Sequence, residues 1–388
     1  MPIRLTTAEQ KIARELAEIK KKSSSHSPSP AMLAQMKGVS VKHDFCFLSN
    51  PHATDLFLTY WKRDFGDTKK LRKLVELYPS QNRALADKVG KTIGVSPKNI
   101  FVGNGATEVI QAVLHNFAKR KILVPVPTFS PYMEFAPKGV RVIQHQLRKE
   151  NDFKLETKAL LAQVAKEKTD TVVIINPNNP DGGLIQANDL HLLLKKLRGV
   201  ETVIVDESFI HFAGTSGVHR GCGHLMSTEL PNLVVIKSLS KDFGIAGLRL
   251  GYAVMSEARV SALLERGYLW NVSGFGEYFL DLLNNKTFLK EYEQARLRAI
   301  RERDDFFAAL QKVKGIKVYP SKANMFLLEL LDGSRAADLS VRLLVKYGIY
   351  VRTCYDKVGL KGECIRVASR TTTENLKLIG ALKNILSN

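Results

Sequence analysis

The chain has 388 residues, of which 45% are hydrophobic and 25% charged, and its 58 Lys and Arg against 38 Asp and Glu leave a formal net charge of +20. That length suits two or three domains of about 100 to 200 residues, or one large one with an appendage, and the composition gives no reason to expect general disorder. No apolar stretch approaches the roughly 18 residues of a membrane span, and no apolar segment before a cleavage site marks the N-terminus; a cytoplasmic protein with no membrane partner is expected. The basic runs Lys20-Lys21-Lys22, Lys69-Lys70 with Arg72-Lys73, and Arg296 to Arg303 are scattered and carry no nucleic-acid-binding signature. No nucleic-acid partner is expected; a basic nucleic-acid-binding protein is the remote alternative, marked by steeply salt-dependent binding. Cys46, Cys222, Cys354 and Cys364 form no C-x-x-C pair and no zinc spacing, which points to a reducing compartment and no metal.

In chain order, a Thr6-x-x-Glu9 capping pattern with Ile12, Leu16 and Ile19 at helical spacing predicts an amphipathic helix over 5–22. The Ser/Pro-rich stretch 23–30 reads as a linker. Residues 1–44 therefore form an arm, suited to packing on a partner subunit or, as a sharper alternative, to lying on a membrane surface. From about residue 85, helical segments alternate with β-branched runs at Ile100–Val102, Ile122–Val124, Thr171–Ile175, Thr202–Val205 and Leu233–Ile236. Such runs predict a mainly parallel sheet covered on both faces, an α/β large domain over 45–276. A long charged helix near Tyr292–Lys312, strands near 316–319, 325–329 and 348–351, and a terminal helix from Thr373 predict a smaller α+β domain over 277–388.

Ligands in parallel sheets bind at the carboxyl ends of the strands, so the residues after each run carry the chemistry. Gly103-Asn-Gly-Ala-Thr-Glu opens a helix whose free N–H groups suit an anion. Asn176-Pro-Asn-Asn-Pro-Asp-Gly-Gly and Asp206-Glu-Ser-Phe follow two further runs. Lys237-Ser-Leu-Ser-Lys-Asp-Phe-Gly-Ile-Ala-Gly-Leu-Arg-Leu-Gly-Tyr252 follows another. A lysine among hydroxyl residues, with an arginine eight positions on, suits an amine that forms a Schiff base beside a bound phosphate. An acidic residue at another strand end can pair with a pyridinium nitrogen.

In this order, the motifs from about Leu48 to the C-terminus resemble the fold-type I enzymes dependent on pyridoxal phosphate, the class I/II aminotransferase family. The branch they resemble holds histidinol-phosphate aminotransferase and threonine-phosphate decarboxylase. The resemblance implies pyridoxal 5′-phosphate as cofactor, Lys241 as the lysine that links to it and moves protons at the substrate α-carbon, and Asp206 as the partner of the pyridine nitrogen. It implies Asn179 on the ring 3-oxygen and Phe129 stacked on the ring. Ala106, Thr107, Ser238, Ser240 and Arg249 would hold the cofactor phosphate. Tyr78 would reach the phosphate of the other subunit in a homodimer.

Two positions depart from the family pattern: Phe209 stands where a tyrosine is usual, and Asp181 where a threonine is usual. The C-terminal segment holds Arg352-Thr-Cys and Ile365-Arg-Val-Ala-Ser-Arg370, a pattern closer to threonine-phosphate decarboxylase. Arginines bind carboxylate or phosphate bidentately. The resemblance implies Arg366 on the substrate carboxylate, Arg352 on a substrate phosphate and Asn50 lining the same end, and His52 is a candidate further contact. Transamination of a small phosphorylated amino or keto compound leads, as the commonest activity of the family. The alternative is decarboxylation of O-phosphothreonine or O-phosphoserine.

Overall fold

Apolar β-branched runs must be covered on both faces, and helices on either side of a seven-stranded sheet provide that cover. The computed structural model describes residues 2–22, 27–214 and 230–386; Cys222 and residues 23–26 of the expected linker lie outside them. The strands are β1 (His43–Asp44), β2 (Ile100–Gly103), β3 (Lys121–Val126), β4 (Arg141–Gln146), β5 (Thr171–Ile175), β6 (Thr202–Asp206), β7 (Leu233–Ser238), β8 (Gly251–Val254), β9 (Ile316–Val318), β10 (Met325–Leu330), β11 (Ile349–Tyr350), β12 (Arg352–Thr353) and β13 (Cys364–Ala368).

The large sheet runs β2-β8-β7-β6-β5-β3-β4, and only β8 is antiparallel to its neighbours. The expected runs correspond to β2, β3, β5, β6 and β7. β4 escapes the search for apolar runs because it is an edge strand, RVIQHQ, that buries only alternate residues. β8 is hidden at the end of the glycine-rich stretch after Lys241. A second, antiparallel sheet runs β12-β13-β10-β9, and β1 pairs with β11.

Two large cores mark the two ends of the molecule, and a third, with Phe101, Val113, Val124, Ile204 and Ile236, fills the opposite face of the large sheet. One, beneath the large sheet, includes Leu123, Val172, Val205 and Val235 and extends through Phe279, Leu280, Phe288 and Tyr292. The other joins Phe45, Phe306, Phe326, Ile365 and Leu382 around the small sheet. The two meet along the helix Lys286–Leu310. Residue 277, where the division is expected, precedes that helix within the stretch that feeds the first core, and Phe45 packs with the second.

The arm helix spans Thr7–Lys22. Its capping box forms: the Thr6 N–H donates to Glu9 Oε2 at 2.8 Å and the Glu9 N–H to Thr6 Oγ1 at 3.3 Å. Arg342 then grips the same carboxylate through Nε (2.5 Å) and Nη2 (3.0 Å). Ile12, Leu16 and Ile19 pack with Val341, Leu344 and Tyr350. The arm's apolar stripe is thus covered by the small domain of its own chain, which corrects the expectation of a partner subunit or a membrane surface. Among the described residues, no helix is long and apolar enough to cross a membrane.

Candidate active site

The carboxyl ends of β2, β3, β5, β6 and β7 open into one cavity of about 260 Å³, closed on the far side by the small domain. Of the residues expected at the site, Ala106, Thr107, Phe129, Asn179, Asp206, Ser238, Ser240, Lys241, Arg249, Arg352 and Arg366 all line it.

Asp206 is the last residue of β6 and is buried. Tyr132 Oη donates to its Oδ2 at 2.8 Å, and the Ser208 N–H donates to its Oδ1 at 2.9 Å. Burial raises its pKa, against the lowering effect of these donors. Lys241 is held by its backbone: its carbonyl accepts from the Asn50 N–H at 2.9 Å. Burial, with the charges of Arg366 and Arg249, lowers the Lys241 ammonium to about 8. Beneath it the buried Asp242 pairs with His211 Nδ1 at 2.6 Å and with Lys237. Burial opposes its charge, but Lys237 and His211 hold it down to about 2.

Anion chemistry gathers at the start of the helix Gly105–Phe117, where the Ala106 and Thr107 N–H groups belong to its first turn. Gly105 has φ +80°, and a Cβ there would sit 2.9 Å from Arg249 Cζ. Gly251 is equally constrained, since its Cβ would meet the Ala106 nitrogen at 2.6 Å. Arg249 itself adopts φ 53° and donates from Nη1 to the Ala246 carbonyl at 3.0 Å.

At the other end, Arg352 and Arg366 are cross-strand partners on β12 and β13, so both face the same side of the small sheet. Arg366 donates to Asn179 Oδ1 at 2.9 Å and to the Cys46 carbonyl at 2.6 Å, while its buried Nε has no partner among the described residues. Arg352 Nη2 pairs with Asp356 Oδ2 at 2.5 Å. Lys20 of the arm reaches Asp356 Oδ1 at 3.3 Å.

Three expected residues lie elsewhere. Asn50 does not line the cavity: its Oδ1 caps the helix Pro51–Phe65 and its Nδ2 donates to the Asp242 carbonyl at 3.1 Å, leaving it the work of fixing the lysine loop. Tyr78 is 80% exposed and lies against Trp270, with ring centroids 4.8 Å apart. His52 is engaged by Glu302, Nε2 to Oε2 2.6 Å, and is no anion contact.

Both departures acquire a setting. Phe209 walls the cavity and packs with Leu48, Phe212, Ala323, Met325 and Ala368. Asp181 lies outside the cavity and closes its loop by accepting from Asn178 Nδ2 (2.5 Å) and the Gly183 N–H (2.7 Å). A threonine hydroxyl could accept the same N–H, so the exchange is local; burial pushes the Asp181 carboxyl up to about 6.

Sequence reasoning missed Tyr132, although it stands three residues after Phe129 in the same stretch, and Lys357, which no motif marks. Lys357 lines the cavity, is buried, and is lowered to about 8 mainly by burial and the neighbouring Arg352 charge.

The family model described as aminotransferase class I and II matches residues 62–382. The chain belongs to this family. It is 50% identical over 377 residues to an L-serine phosphate decarboxylase of Campylobacter jejuni, covering 97% of both chains. It is 32% identical to a histidinol-phosphate aminotransferase of Thermoanaerobacter pseudethanolicus over 80% of this chain and 85% of that one. The solved structure of a decarboxylase from Sulfurospirillum multivorans superimposes with a TM-score of 0.93 at 43% identity, covering 98% of this chain and 97% of that one. The fold is the fold-type I transferase fold, and the cofactor is pyridoxal 5′-phosphate.

The residues present fit that group. The helix N-terminus, Ser238, Ser240 and Arg249 form a cradle for a phosphate dianion. Asp206 offers a buried carboxylate whose named donors are neutral, suited to a ring N–H⁺. Asn179, whose oxygen is taken by Arg366, keeps its amide nitrogen as a donor for the ring oxygen.

Proposed function

We propose that the chain is a decarboxylase of L-serine O-phosphate, releasing carbon dioxide and O-phosphoethanolamine. What carries this reading is the extent of the likeness: half of the residues are shared with a serine phosphate decarboxylase over 97% of both chains, N-terminal arm included, whereas the aminotransferase relative matches 80% of this one. Transamination, the leading expectation from the motifs, gives way to its alternative.

The cofactor, when bound, draws electrons from the substrate α-carbon. The remaining work falls to the chain. Arg366, whose named contacts are neutral acceptors, takes the substrate carboxylate and sets which bond at the α-carbon is aligned for cleavage. As the bond to the carboxylate breaks, carbon dioxide leaves and the bond's electron pair stays at the α-carbon, where it takes up a proton from Lys241 to form the new C–H bond. Phe209 and Leu48 keep the wall apolar, which helps to exclude water. Asp206, held by Tyr132, stays in place to balance the ring's positive charge.

A homodimer belongs to the same reading. Tyr78 and Trp270 form an exposed aromatic pair, and their chain neighbours Leu77 and Leu269 are exposed as well, a surface suited to cover by a second copy that would receive Tyr78 at its own cofactor phosphate.

The test is a single turnover of cofactor-loaded enzyme with O-phospho-L-serine and, separately, with L-glutamate, trapping carbon dioxide. Carbon dioxide from phosphoserine with glutamate inert is expected, and Lys241→Ala should abolish both turnover and the borohydride-reducible link to the cofactor. Conversion of the cofactor to its amine form by glutamate without carbon dioxide would return the aminotransferase reading.

A further inference from the structure

The substrate end of the cavity holds three buried cations, Arg352, Lys357 and Arg366, and they differ in what already neutralises them. Arg352 has Asp356 at 2.5 Å. Asp356 is shared with Lys20, which also lies 3.7 Å from the centroid of the Tyr355 ring, so the arm helps to hold the Arg352–Asp356 pair in place. Among the described residues, no carboxylate pairs with Lys357 or with Arg366.

Lys357 sits in the turn between β12 and β13. Its N–H donates to the Cys354 carbonyl at 3.0 Å and its carbonyl accepts from the Leu360 N–H at 3.1 Å, so the backbone that carries it is fixed at both ends. Its side chain crosses from the small domain toward the large one, where Ser130 Oγ is 3.4 Å away, a long contact for an ammonium. Ser130 follows Phe129, the residue expected against the cofactor ring. Lys357 is thus 7% exposed, lines the cavity, and its ammonium meets a hydroxyl where an anion would be expected.

Burial and the neighbouring Arg352 charge disfavour the Lys357 cation and lower it to about 8, and Asp356, which pairs with Arg352 and Lys20, offsets this only in part. A dianion brought in by the substrate would relieve it, and an unphosphorylated amino acid would not. Such a site discriminates by leaving its buried polar group unpaired when the wrong ligand binds.

We propose that Lys357 is the specificity-determining residue for the substrate phosphate, the cation that selects phosphorylated over unphosphorylated amino acids, with the Asp356-bound Arg352 as its auxiliary. The proposal rests on the phosphoserine reading and deepens it, because the phosphate passes from Arg352 alone to a pair in which Lys357 is the cation with no carboxylate in ion-pair contact among the described residues.

The test uses cofactor-loaded enzyme and two probes that divide the substrate: O-phosphoethanolamine, with a phosphate and no carboxylate, and L-serine, with a carboxylate and no phosphate. Binding is followed by calorimetry. Lys357→Met should weaken O-phosphoethanolamine about tenfold to a hundredfold, the range for losing a hydrogen bond to a charged group, and leave L-serine within about twofold. Lys357→Arg should recover most of the loss, and the specificity for O-phosphoserine over serine should follow the same order. Retained melting temperature and cofactor absorbance show that the variant is folded; if Lys357→Met does not fold, Lys357→Gln carries the same expectation. Unchanged phosphoethanolamine affinity in the variant, or an equal loss of both probes, overturns the assignment of Lys357 alone. Wild-type enzyme that binds neither O-phosphoethanolamine nor O-phosphoserine overturns the phosphoserine reading, and the assignment falls with it.

Discussion

Gly105→Ala tests whether the phosphate cradle works as the geometry implies. The residue opens the helix Gly105–Phe117 with φ +80°, a conformation that disfavours any Cβ by about 1–2 kcal/mol. The added methyl would also lie 2.9 Å from Arg249 Cζ, inside contact distance. Arg249 is an exposed residue with a long side chain, so its guanidinium swings aside at little cost to the fold, but in doing so it leaves the cradle. A lost charge-assisted contact is worth about 1.5–3 kcal/mol, so cofactor affinity should fall about tenfold to a hundredfold while the melting temperature drops by only a few degrees. Cofactor titration of the apo-protein by absorbance measures the first, and calorimetry the second. Because the loss passes through Arg249, it should shrink in an Arg249→Met background, where no guanidinium remains to displace. Full cofactor affinity in Gly105→Ala, or an equal loss in both backgrounds, would refute the reasoning.

Tyr132→Phe removes one of the named donors to the buried Asp206 and should lower kcat for decarboxylation about tenfold with KM little changed, at a stability loss of about 1–2 kcal/mol by denaturant titration; an unchanged kcat would show that Ser208 alone suffices to hold the carboxylate. Asp181→Asn tests the raised carboxyl. With a pKa near 3.8 unfolded and about 6 folded, the native chain holds an extra proton between those values. Wild-type stability should therefore fall as the pH rises from about 4 to 6 and level off above. Two units at about 1.4 kcal/mol each make about 3 kcal/mol of slope that the variant lacks, and parallel stability curves for the two proteins would refute this.

Much of the site was legible because its chemistry is local. A strand end, the turn after it and the first helical turn lie within a few residues of one another, so Gly103–Thr107, Asn176–Asn179, Asp206 and Ser238–Lys241 each appear as a short motif. Their convergence follows from the parallel sheet, which delivers successive strand ends to one edge. The arm helix was equally legible from Thr6, Glu9 and its apolar stripe.

What the stripe covers was not legible, because packing partners distant in sequence set it: Arg342 and Val341 lie more than 300 residues away. The same holds for the residues whose roles changed. Asn50 reads as a site residue from its neighbours, yet helix capping and the Asp242 carbonyl occupy its amide. Lys357 stands in no motif and becomes a cavity cation only because the β12–β13 turn folds back over Ser130. Sequence by itself determined the parallel strands β2, β3, β5, β6 and β7 as elements, the order of the strand-end motifs and the cofactor chemistry, since these depend on near neighbours and period. Only the tertiary structure decided which cavity cations have a carboxylate beside them and, among the described residues, which have none, because neutralisation depends on distances between segments far apart in the chain.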